Sequence, residues 1–109
     1  MKEFINVWIK DPDRAPRHAK IRNDLEVLQQ IVGGYIEVLT LVDADRGCNV
    51  LLIVNEEGKI NGLEKNFRLY DDIIVGPAVF TGEDVDEMDD CPIETEEELL
   101  QFLEERGKS

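Results

Sequence analysis

The sequence predicts a small α+β domain: a mixed or antiparallel sheet of about four to five strands, one helix after the first strand, and a helix at the C-terminus. Three observations carry the prediction. Two stretches have helical apolar spacing behind capping residues, several short segments are rich in β-branched residues, and glycine, asparagine and proline punctuate the joints. At 109 residues the chain suits a single domain, 1–109, with one core.

Phe4-Ile5-Asn6-Val7-Trp8-Ile9 reads as a first strand that stops at Asp11-Pro12, and the loop after it runs through Pro16 to about Ile21. Asn23-Asp24-Leu25-Glu26 supplies an N-cap with Glu at the third helical position. Leu25, Leu28, Ile31 and Val32 then form the apolar stripe of a helix, and Gly33-Gly34 ends it. Residues 35–42 form the next strand, Asp43 to Gly47 a polar turn, and Val50-Leu51-Leu52-Ile53-Val54 a strand buried on both faces.

Asn55-Glu56-Glu57-Gly58 has the composition of a tight turn, with Gly58 where positive φ is needed, and Lys59-Ile60 continues as a short strand. Residues 61–72 suit a loop or a short helix. Ile73-Ile74-Val75 and Ala78-Val79-Phe80 form a last strand pair or one bent strand, because Gly76-Pro77 interrupts the ladder. A polar acidic connection spans 81–94. Thr95-Glu96-Glu97-Glu98 is a second capping box, opening a helix through Leu99, Leu100, Phe102 and Leu103 that closes at Arg106-Gly107-Lys108.

The net charge of −13 is unevenly spread. Residues 1–22 hold six Lys/Arg against three Asp/Glu, residues 23–75 four against ten, and residues 76–109 two against twelve. Such a surface repels phosphate backbones and anionic lipid, so direct nucleic-acid or membrane binding is disfavoured outside the N-terminal block. No apolar run is long enough to span a bilayer, and Met1-Lys2-Glu3-Phe4 lacks the pattern of a signal peptide, which together imply a cytoplasmic protein.

Cofactor and catalytic signatures are missing from the chain. Cys48 and Cys91 stand apart with no C-x-x-C or Cys/His grouping and read as free thiols. The acidic stretch 83–90 invites a calcium reading, but the EF-hand spacing puts Met88 and Asp89 where a ligand and a turning glycine are required, so a solvated loop fits better. The sole serine is Ser109, which removes a Ser/His/Asp triad. Phosphate-binding glycine loops are missing too, since Gly33-Gly34 follows a helix and not a strand. The implied class is a non-enzymatic protein with no metal and no cofactor.

Two places could bind something. Arg14, Arg17 and His18, with Lys20 and Arg22, make a basic loop that either receives an anion or balances neighbouring acids. Asn55, Asn61, Gly62 and Asn66 offer side-chain amides and a close backbone approach, or else tie a loop to its own backbone.

The segments Asp24 to Val38, with Gly33-Gly34-Tyr35-Ile36-Glu37-Val38 at their end, and Asn55-Glu56-Glu57-Gly58-Lys59-Ile60-Asn61-Gly62-Leu63-Glu64-Lys65-Asn66 are similar to a family of small proteins from phages, plasmids and mobile elements of Gram-positive bacteria, catalogued as a domain of unknown function. The resemblance covers residues 4 to 80 and leaves the acidic loop and C-terminal helix, 81–109, as an extension. It implies no activity. With the charge pattern it implies an accessory protein that works by protein–protein binding or self-association, including anti-restriction or anti-defence action by imitation of DNA. The alternative is a small-ligand protein that holds a nucleotide or other anion between the Asn61–Asn66 loop and the basic 14–22 loop.

Overall fold

The computed structural model describes residues 2–108, so Met1 and the sole serine, Ser109, lie outside the described residues. In chain order the elements are β1 (Phe4–Lys10), β2 (Arg17–Arg22), α1 (Leu25–Val32), β3 (Ile36–Asp43), β4 (Cys48–Asn55), β5 (Lys65–Leu69), β6 (Asp72–Val75), β7 (Ala78–Asp84), β8 (Glu87–Asp89) and α2 (Glu96–Arg106). One six-stranded sheet runs β2-β1-β7-β4-β3, with β8 added to β7, and β5 and β6 form a separate two-stranded sheet. Every pairing is antiparallel.

The large sheet is the middle of three layers. On one face Ile5, Val7, Ile9, Ile53 and Val79 pack against Leu28 and Val32 of α1. On the other, Trp8, Leu52, Val54 and Phe80 pack against Leu69 and Ile74 of the β5–β6 hairpin and against Leu99, Phe102 and Leu103 of α2. The apolar run 50–54 is therefore divided between two cores, as period-two alternation requires of a strand covered on both faces.

Several sequence expectations need correction. The helix does not follow the first strand directly. Residues 17–22, expected as loop, form β2, which pairs with β1 from Phe4↔Arg22 to Ile9↔Arg17. Alternating Ala19 and Ile21 pack under α1, a two-residue signal too short to stand out among the charges. The N-cap of α1 is Asp24 and not Asn23: its carboxylate accepts from Val27 N at 2.9 Å. Asn23 instead donates to Lys2 O at 3.0 Å.

The 61–72 region contains β5, and β6 pairs with it, so 73–75 and 78–80 are not one bent strand but belong to different sheets. The acidic stretch expected as connection extends β7 to Asp84 and supplies β8. Residues 59–60 continue the turn and do not form a strand. Gly58 has no positive φ; what it needs is room, since an added Cβ would stand 2.8 Å from Val75 Cγ2. The caps at Gly33, with φ of 81°, and at Thr95, whose Oγ1 accepts from Glu98 N at 3.1 Å, match the sequence.

Candidate functional site

Asn55 ends β4 and is buried. Its amide donates to Val32 O at 3.1 Å and accepts from Glu57 N at 2.8 Å, so it closes the C-terminus of α1 and shapes the turn that follows. Asn66 donates from Nδ2 to Lys10 O at 2.7 Å and to Gly76 O at 2.8 Å, while its Oδ1 accepts from Lys10 Nζ at 3.0 Å. Both amides hold the fold's own backbone. Asn61 and Gly62 lie on the exposed turn before β5, where Gly62 has φ of 68° and open space beside it.

The basic residues are spread along a turn and an edge strand. Arg14 stands exposed in the β1–β2 turn, where its backbone N donates to Asp11 O at 3.3 Å. Arg17 pairs with the Asp11 carboxylate. His18 sets its ring edge-on to Trp8, with centroids 5.0 Å apart. Lys10 Nζ donates both to Asp11 O and to Asn66, so Asn66 does approach the β1–β2 turn, with Lys10 between them. Asn55, by contrast, lines a separate groove.

That groove, about 210 Å³, opens between β3, the 56–60 turn and β6. Leu39, Val54, Ile60 and Ile73 give it an apolar floor and wall, while Glu37 and the Lys59–Asp72 ion pair stand among its lining. Nothing in the sequence marks it, because β6 comes from a segment whose sheet could not be assigned from its pattern.

A second set of acids stands at the opposite end of the long strands. Asn49 Nδ2 donates to Glu83 Oε1 at 3.0 Å, joining the β3–β4 and β7–β8 hairpin ends, and Arg46 of the first turn pairs with both Asp43, at 2.7 Å, and Glu98 of α2. The β3–β4 turn, the end of β7 and the start of α2 thus lie near one another, and Asp45, Glu83, Asp84, Asp86 and Glu97 of these segments are exposed. Among the described residues no three His, Cys, Asp or Glu side chains converge closely enough to hold a metal ion. The carboxylates form a spread array.

The perturbed groups all move away from neutrality. Burial pushes the Asp43 carboxyl up, but the Arg46 guanidinium and backbone N–H outweigh it, leaving the group below the usual carboxylate range. Hydrogen bonds from Lys59 lower Asp72, and those from Lys2 lower Asp89 and Asp90. Burial pushes the Cys91 thiol up to about 11. Groups moved this way are poor proton donors or acceptors near pH 7, where general acid–base work needs a matched pKa. Both cysteines are free thiols.

A family model described as a domain of unknown function, DUF3846, matches residues 5–105. The match runs past residue 80 and takes in β8 and most of α2, so the acidic segment lies within the family's span. No curated protein and no solved structure matches the chain. Among the described residues no helix is long and apolar enough to cross a membrane.

Proposed function

The chain belongs to the DUF3846 family, a domain of unknown function, and from that premise we propose that it is a non-enzymatic accessory protein of a phage or mobile element that acts by binding another protein. Its acidic end occupies a basic groove in the partner, in the place that DNA phosphates would take. The observation that carries this reading is the array of carboxylates assembled from the β3–β4 turn, the β7–β8 turn and the start of α2. An array that does not converge suits a row of basic side chains better than a single ion.

Nucleotide capture between the two loops has less support. The Asn66 amide and the Arg17 guanidinium already have partners within the chain.

The test is affinity capture from a Gram-positive bacterial lysate on the immobilised protein, at about 50 mM and about 500 mM salt, since a contact built on many charge pairs weakens steeply with ionic strength. Nucleic-acid-binding proteins should be retained at low salt and released at high salt. The combined variant Asp84→Asn, Asp86→Asn, Glu97→Gln should lose them. A lysate that yields no such protein at low salt, or equal capture by the variant, refutes the reading.

A further inference from the structure

We propose that two copies of this chain pair through β3, edge to edge and antiparallel, about a two-fold axis at Val38. β3 is a terminal strand of the large sheet, and its register with β4 is unbroken from Ile36↔Asn55 to Asp43↔Cys48. Native sheets usually blunt such an edge with lysine, proline, a bulge or a short strand. The other terminal strand, β2, carries Arg17, Lys20 and Arg22. β3 spans eight residues, has no base, proline or bulge, and leaves Val38 and Val42 42% and 66% exposed.

The direction of its peptide groups fixes how a second copy fits. Tyr35 O accepts from Glu56 N at 2.8 Å, so odd-numbered residues of this strand turn their peptide groups toward β4. The even-numbered residues turn theirs outward. Val42 O is already taken, by Arg106 Nη2 at 2.8 Å. Among the described residues, Ile36, Val38 and Thr40 keep both N–H and C=O of the outer edge unpaired.

An antiparallel pair centred on Val38 sets Val38 against its copy and Ile36 against Thr40 on each side. It uses all of these free groups and leaves the Arg106 bond intact. The same register places Glu37 opposite Leu39 and Tyr35 opposite Leu41, so no two carboxylates stand directly across from each other. Shifting the centre to Thr40 would oppose Glu37 to Asp43. Residues 38–42 are also five consecutive uncharged residues on an edge of a protein with net charge −13, which makes this stretch the place where a like-charged copy can approach.

Self-pairing and the acidic-end interaction respond oppositely to salt, which keeps their failures apart. Salt screens the repulsion between two copies of charge −13 and should favour the pair, whereas it weakens contact with a basic partner. The experiment is sedimentation equilibrium of the whole chain from about 10 μM to about 1 mM in low and high salt, because pairing of strand edges alone buries little surface and gives modest affinity. The mass should climb from 12.5 kDa toward twice that value, at lower concentration in high salt. Val38→Lys puts two ammonium groups across the axis and should weaken the pair at least tenfold, with an unchanged circular dichroism spectrum. His18→Lys, on the far edge, should leave it intact. A wild-type chain that stays at monomer mass throughout, or a dimer that Val38→Lys does not weaken, overturns the proposal.

Discussion

Replacing Asn66 by Ala separates a structural amide from a ligand-binding one. The side chain makes three hydrogen bonds, two as donor to Lys10 O and Gly76 O and one as acceptor from Lys10 Nζ, and together they pin the start of β5 to the end of β1 and to the bend after β6. Alanine removes all three and leaves two half-buried carbonyls short of a donor. At about 1 kcal/mol net for each bond the loss is about 2–3 kcal/mol. For a domain of this size that lowers Tm by roughly 10 °C. Thermal unfolding followed by circular dichroism measures it directly. Asn66→Asp serves as the companion variant: it keeps the acceptor for Lys10 but turns a carboxylate toward the two carbonyls, so at neutral pH it should be at least as damaging. A Tm within about 2 °C of wild type for Asn66→Ala would refute the assignment, because three bonds of ordinary strength cannot vanish at so small a cost.

Arg46→Gln should cost about 2 kcal/mol, less than a fully buried pair because the Arg46 side chain is partly exposed. The deficit should be pH-dependent. In the wild type the Asp43 carboxyl lies below its unfolded value, so its stabilisation is present above about pH 4 and is lost as pH falls through the folded value. In the variant the guanidinium no longer offsets burial, and only the backbone N–H of residue 46 and the charge of Arg106 still do, so the carboxyl is protonated more readily and the gap between the urea midpoints of the two proteins should narrow between neutral pH and about pH 3.5. A gap that stays constant with pH would remove the ion pair as its cause. Gly82→Ala should cost about 3 kcal/mol or more, since an added Cβ would lie 2.1 Å from Asp90 O and the obstacle is backbone. Hydrogen exchange should then show lost protection at Cys91 N, which donates to Asn6 O at 2.8 Å, and a wild-type exchange pattern would contradict the close approach.

What the sequence made legible was local. Gly33 and Thr95 could be read because capping depends on a few adjacent residues, and the 50–54 run could be read because a strand buried on both faces has nowhere to place polar groups. β2 and β8 were hidden for the converse reason. Edge strands carry charge on their open face, so Arg17-His18-Ala19-Lys20 and Glu87-Met88-Asp89 look like loops until β1 and β7 are seen beside them. The candidate site behaved similarly. Asn55 and Asn66 stood out by residue type, but whether an amide faces a ligand or its own backbone is decided by residues far away in sequence: Val32 for Asn55, and Lys10 and Gly76 for Asn66. Glu37 gave no signal, because membership of a groove depends on where β6 crosses.

The same distances also explain why so much charge is tolerable. Arg46 joins Asp43 to Glu98, and Lys2 holds Asp89 and Asp90, so the few bases near the acidic segments neutralise the carboxylates that the fold brings closest together. Other acids, Asp84, Asp86 and Glu97 among them, are exposed, where water and salt screen them. Folding therefore sorts the carboxylates into two populations. Those paired at hairpin and helix ends stabilise the molecule. Exposed acids such as Asp84, Asp86 and Glu97 define its surface, and neutralising them should change what the protein binds far more than how stably it folds. The variant Asp84→Asn, Asp86→Asn, Glu97→Gln draws only on that second population, so a fall in its binding can be assigned to the surface and not to a damaged fold.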